Sequence, residues 1–77
     1  MKAKAYEATL KIDGHVTRLF ASDSKQDAED WFKMSYTEAT RSNGIPSEDE
    51  IKYFMDGHEV QLTQLNGSIL IWRLMKN

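Results

Sequence analysis

The two histidines of the chain each follow Asp-Gly, in Asp13-Gly14-His15 and in Asp56-Gly57-His58. Imidazole and carboxylate both ligate metals, and histidine can move a proton near neutral pH. Used together, the two triplets would make a metal site or an acid–base couple. A plainer reading accounts for both: Asp-Gly is the dipeptide that tight turns require, and a histidine just after a turn is ordinarily solvated. No third ligand stands at supporting spacing, and the chain has no cysteine, so neither a metal nor a cofactor is expected. A Gly-rich phosphate loop, a nucleophile elbow and a His-Glu-x-x-His helix are all missing from the sequence, and with them the motifs that carry a physical warrant for catalysis. A non-enzymatic function is the expectation.

Two kinds of macromolecular contact remain. Tyr6, Phe20 and Trp72 with Lys2, Lys4, Lys11, Arg18 and Arg73 nearby could form a base-stacking platform with positive flanks. Against it stand the formal charge of −2 and the lack of any RNA-recognition motif, so nucleic acid is not the favoured partner. The acids are concentrated in the middle of the chain, where residues 21–50 carry eight against three bases. Asp27, Glu29 and Asp30 belong to this stretch and could steer encounter with a basic protein, although such charges are most often a solvated face.

With 77 residues there is room for one core, and a single domain over 1–77 is expected. A domain this small buries only about 60–65% of its unfolded surface, and without cysteine no disulfide can staple it. Lack of cysteine fits a reducing compartment. The first residues, Met1-Lys2-Ala3-Lys4-Ala5-Tyr6-Glu7, are not a secretory leader, and no stretch approaches the roughly 18 apolar residues of a membrane span. A cytoplasmic location is expected.

Alternation of Tyr6, Ala8, Leu10 and Ile12 with Glu7, Thr9 and Lys11 predicts a half-buried strand. Asp13-Gly14 predicts a type I′ turn into a second strand from His15 to Ala21. A two-residue loop pairs Ile12 with His15, Leu10 with Thr17, Ala8 with Leu19 and Tyr6 with Ala21. Ser24 with Asp27 marks a helix start, and Ala28, Trp31, Phe32, Ser35, Tyr36 and Ala39 fall on one side of that helix. Asn43-Gly44 followed by Pro46 predicts its end. The stretch from Ser47 to Met55 reads two ways, because Ser47 and Glu50 form a capping box while Ile51, Tyr53 and Met55 alternate. Asp56-Gly57, taken as a second hairpin turn, favours the strand. Asn66-Gly67 then leads into a last strand. The fold class is α+β, an antiparallel sheet with one main helix on one face, in the order β-β-α-β-β-β; with a helix at 47–55 the order becomes β-β-α-α-β-β.

The last strand is apolar at Ile69, Leu70, Ile71 and Trp72 in succession, which loads both faces of the sheet. A two-residue Asn66-Gly67 loop pairs Leu70 with Thr63, Trp72 with Gln61 and Leu74 with Glu59. That register places Val60, Leu62, Ile69 and Ile71 in the core and leaves Leu70, Trp72 and Leu74 as an exposed, tryptophan-centred stripe suited to a protein interface. The same run also fits a central strand covered on both faces, and pattern alone leaves the two open. A stripe of this kind could equally join two copies as a homodimer.

Tyr6-Glu7-Ala8-Thr9-Leu10, a short turn, a second strand ending Phe20-Ala21, then Ser22-Asp23-Ser24 and an acidic helix anchored by Ala28, resembles small phage-encoded proteins that inhibit host enzymes or defence complexes. The resemblance spans residues 6–40. It implies a compact, cofactor-free inhibitor acting by occlusion, an anti-defence role among the possibilities, and carries across no functional residue. Leu70, Trp72 and Leu74, with Asp27, Glu29 and Asp30, are therefore the partner-binding residues expected from the stripe and the acidic helix.

Overall fold

Asp13 and Gly14 both take positive φ, 51° and 84°, the pair of left-handed residues that a type I′ turn needs. The structure, a computed structural model, describes residues 3–40 and 44–77. In it this turn joins β1 (Tyr6–Ile12) to β2 (His15–Ser22). Pairing begins as a two-residue loop dictates, with Ile12 opposite His15 and Lys11 opposite Val16, and a β-bulge then shifts the register. Past the bulge Leu10 faces Arg18, Thr9 faces Leu19 and Ala8 faces Phe20. The expected pairs of Leu10, Ala8 and Tyr6 with Thr17, Leu19 and Ala21 are thus displaced by one residue. An added residue swaps the faces of everything beyond it: Phe20 turns toward the core and stacks on Trp31 at 5.5 Å, while Leu19 is left 76% exposed.

Ser24 caps α1 (Lys25–Thr40) as its type and position predict, its Oγ accepting the Asp27 N–H at 3.2 Å. The Asp27 carboxylate accepts from Ser22 Oγ at 3.2 Å, and that same Oγ accepts the Ser24 N–H at 3.0 Å. A short relay therefore ties the end of β2 to the start of the helix. Ala28, Trp31, Phe32, Ser35 and Tyr36 are the buried residues of α1, the face its periodicity marks. Asn43, expected to help end this helix, lies outside the described residues. One of the carbonyls that every helix leaves unpaired at its end, that of Ala39, accepts from Gln64 Nε2 at 2.7 Å.

Residues Glu48–Met55 are helical, which overturns the favoured strand. Ser47 Oγ accepts the Glu50 N–H at 3.1 Å and Glu50 Oε1 accepts the Ser47 N–H at 3.0 Å, a complete capping box opening α2 (Glu48–Met55). Asp56-Gly57 closes the helix instead of turning a hairpin. Gly57 takes φ of 93°, its N–H bonds the Phe54 carbonyl at 3.0 Å, and the His58 N–H bonds the Tyr53 carbonyl at 3.1 Å. These are the two hydrogen bonds of a Schellman motif, whose usual side-chain contact is supplied by Tyr53 stacking on His58 at 4.4 Å. The element order is β-β-α-α-β-β, the second of the two the sequence allows, and the class is α+β.

The last hairpin, β3 (Val60–Thr63) and β4 (Ile69–Lys76), corrects the sequence reading most. The Gln64 N–H bonds the Ser68 carbonyl at 2.8 Å, and the Gly67 N–H bonds the Gln64 carbonyl at 2.9 Å. Three residues, Leu65, Asn66 and Gly67, thus span the turn, with Gly67 at φ 90° as the left-handed member of a bulged three-residue loop. Leu62 faces Leu70 and Val60 faces Trp72, one residue away from the pairing expected of a two-residue loop. One residue of register exchanges the faces. Leu70, Trp72 and Leu74 are therefore buried, at 0%, 0% and 2% exposure, and do not form an exposed stripe.

The four strands make one antiparallel sheet in the order β2-β1-β4-β3, with both helices on one face. Phe32 of α1 and Phe54 of α2 stack at 4.3 Å, and Trp72 meets Phe32 edge-on at 5.8 Å. The indole N–H of Trp72 donates to Ser35 Oγ at 2.9 Å, and Ser35 donates to the Phe32 carbonyl at 3.2 Å. This satisfies the polar atoms inside the core as burial demands.

Tyr36 links the helices, donating its hydroxyl to Glu50 Oε2 at 3.2 Å. Burial, the negative charge of Glu50 and the hydrogen bond to it all push the phenol above its ordinary value of 10.0. A group whose folded value is raised contributes stability that is complete below the unfolded value and lost as pH rises through the folded one. Stability should thus decline above pH 10, and Tyr36→Phe should decline less steeply there than wild type when urea unfolding is followed at a series of alkaline pH values. Equal slopes would remove Tyr36 as the cause.

Candidate functional site

Helices cover one face of the sheet, and among the described residues no element packs on the other. Three rows of side chains cross this open face. Ala21, Glu7 and Met75 form the first, Leu19, Thr9 and Arg73 the second, and Val16, Lys11, Ile71 and Gln61 the third. Strand β1 contributes only polar residues, whereas β2 flanks it with Ala21, Leu19 and Val16, and β4 with Met75, Arg73 and Ile71. Leu19, Val16, Met75 and Ile69 are 76%, 51%, 49% and 40% exposed. A depression of about 510 Å³ lies over the first two rows, with Glu7, Thr9, Leu19, Ala21 and Met75 in its lining.

An antiparallel sheet with one solvated face normally alternates apolar inward with polar outward. β4 departs from that rule because Ile69, Ile71 and Met75 point away from the core while Leu70, Trp72 and Leu74 point into it. The run of four apolar residues therefore does load both faces, as the sequence indicates, but the exposed set is the odd-numbered one. Leu19 is exposed for a different reason, the bulge in β2, which no residue type announces in advance.

Of the acids singled out in the sequence, Asp27 belongs to the relay that caps α1, Glu29 pairs with Lys33 at 3.0 Å, and Asp30 accepts from Gln26 Nε2 at 2.9 Å. All three sit on α1, across the sheet from the open face. The base-stacking platform is not assembled: Tyr6, Phe20 and Trp72 lie on the core side, and Trp72, fully buried, cannot reach a base. Asp13, from the first Asp-Gly-His triplet, uses its carboxylate to accept the Ile69 N–H at 3.0 Å, and His58 of the second is stacked on Tyr53. Among the described residues no three histidine or carboxylate side chains converge on a point that could hold a metal ion.

No family model, curated protein or solved structure matches the chain. Among the described residues no helix is long and apolar enough to cross a membrane.

Proposed function

We propose that the chain is a non-enzymatic protein-binding module that docks through the open face of its sheet. The observation that carries this reading is the set of large aliphatic side chains, Leu19, Val16, Ile69 and Met75, exposed together on a face that no element covers among the described residues. Apolar surface grouped in this way, with polar side chains among it, marks interaction sites more often than chance exposure does. The likeness of residues 6–40 to phage-encoded inhibitors would make the action occlusive, the module covering a surface that a host complex needs. A chain without cysteine suits work in the cytoplasm.

Since the chain has no cysteine, Leu19→Cys offers a unique attachment point for a photo-crosslinker on the open face, and Lys52→Cys an equivalent one on the helix layer. Irradiation of the folded conjugates, purified and in host lysate, should give protein adducts from position 19 and far fewer from position 52. Equal adduct formation from both, or none from position 19, would overturn the docking face.

A further inference from the structure

Two flanks of α1 differ in what lies beside them. Lys25, Glu29 and Lys33 face the cleft between the helices, whose lining they share with Ile51, Lys52 and Met55 of α2. Asp27, Asp30, Met34 and Glu38 recur every three or four residues on the opposite flank, beside β2, which is an edge strand. The Ser22–Asp27 hydrogen bond joins strand to helix at one end of this flank, and the Arg18–Glu38 ion pair does so at the other. Between them lies a recess of about 360 Å³, with Phe20, Trp31 and Met34 in its apolar lining and Asp27 and Asp30 in its charged one.

Sheets protect their edges with short strands, charges and bulges. β3, at the far edge, has only four residues, and the bulge of β2 is confined to its hairpin end. From Arg18 to Ser22 the strand pairs regularly with β1, and among the described residues no other hydrogen bond reaches its main chain. The carboxylates of Asp27 and Asp30 accept from Ser22 and Gln26, and neither belongs to an ion pair among the described residues. The recess therefore combines an unpaired strand edge, an aromatic wall and two negative charges without a cation.

We propose that this recess takes an extended segment of a partner protein, which adds a strand to the edge of β2 and sets a lysine or arginine against Asp27 and Asp30. Side chains of an added strand alternate in direction, so those on the helix side lie level with Arg18, Phe20 and Ser22. The one level with Phe20, whose ring stacks on Trp31 at 5.5 Å, meets that ring and Met34 and is aliphatic. The one level with Ser22 meets the two carboxylates and is basic. The pattern recognised is thus an aliphatic residue two positions from a base. In strand addition the main chain supplies affinity and the alternate side-chain sites supply specificity. Lying at the strand edge and on the helix side, this site is separate from the open face and does not depend on it.

Selection from a library of random seven-residue peptides on the folded chain tests this. Enriched peptides should carry lysine or arginine two positions from an aliphatic residue. A synthetic peptide of the enriched sequence should bind Asp27→Asn/Asp30→Asn about tenfold more weakly than wild type, and Met75→Ser, on the open face, as tightly as wild type. Asp30→Asn alone leaves the Ser22–Asp27 bond intact and should weaken binding about threefold, which keeps the test valid if circular dichroism shows the double variant unfolded. A strand paired at an edge uses every second N–H, so N-methylation of alternate peptide residues should abolish binding in one frame and spare it in the other. No enrichment, enrichment of peptides without a base, or unchanged binding to the aspartate variants overturns the proposal. So does an identical response to N-methylation in both frames, which removes strand addition, or loss of binding to Met75→Ser, which moves the peptide to the open face.

Discussion

Trp72→Asp will be unfolded in buffer, whereas Leu19→Asp, a change to an equally apolar strand position, will fold. Trp72 has no exposed surface and touches Phe32 at 5.8 Å and Tyr36 at 5.3 Å. Truncation of a buried tryptophan costs about 3–5 kcal/mol, and a carboxylate with no partner in the space left behind adds to that. A core of this size rarely supplies more than about 3–5 kcal/mol in total, so the loss exceeds what the fold can absorb. Leu19 already meets water and should change stability by no more than about 0.5 kcal/mol. Ser35→Ala provides the intermediate case, because it keeps the packing and takes away the acceptor of the Trp72 indole, at about 1–3 kcal/mol. Urea unfolding followed by far-ultraviolet circular dichroism separates the three. A folded Trp72→Asp would mean that β4 is paired in the other register.

Phe54→Ala should lower the Tm by roughly 15–30 °C, the equivalent of about 3–5 kcal/mol in a domain of this length. Phe54 is the main anchor of α2: it is fully buried, stacked on Phe32 at 4.3 Å and tilted against Trp31 at 6.3 Å. An eight-residue helix is too short to persist on its own propensity, so its survival depends on that ring. Hydrogen exchange would show protection lost from α2 before the β1–β2 ladder. A Tm within a few degrees of wild type would place the weight of helix docking on the Tyr36–Glu50 bond instead.

Much of this architecture is written in local chemistry. Ser24, the apolar face of α1 and the Asp13-Gly14 turn are where their residue types place them, because each depends on neighbours a few positions away. Asp56-Gly57 shows the limit of such signals. The dipeptide announces a residue at positive φ, and both a hairpin and a helix end require one; only the Ser47–Glu50 capping box, outweighing the alternation of Ile51, Tyr53 and Met55, decides between them. Asn66-Gly67 is ambiguous in a further way. Whether the glycine closes a two-residue or a three-residue loop changes the register by one, and that single residue decides whether Trp72 or Ile71 faces water. The bulge in β2 acts likewise on Leu19 and Phe20. Adjacent apolar residues offer two near-equal solutions, and the choice is made by the aromatic packing of Trp31 on Phe20, which is distant in sequence. The apolar load of the open face was thus visible as surplus apolar residues on β4 but not as a particular set of side chains.

The order of strands has a kinetic consequence. The β1–β2 and β3–β4 hairpins join neighbours through short turns, but the seam between β1 and β4 brings Tyr6 opposite Lys76, from nearly the two ends of the chain. The Asp13 amide and carboxylate fasten the far end of this seam to Ile69 at 2.9 and 3.0 Å. Each hairpin can form on the microsecond scale, while the seam must first meet the entropy of closing a loop that contains both helices. Folding speed is therefore set by the meeting of the two halves, and until they meet Leu10 and Trp72 stand on open strand edges, the interval in which the chain is most prone to aggregate.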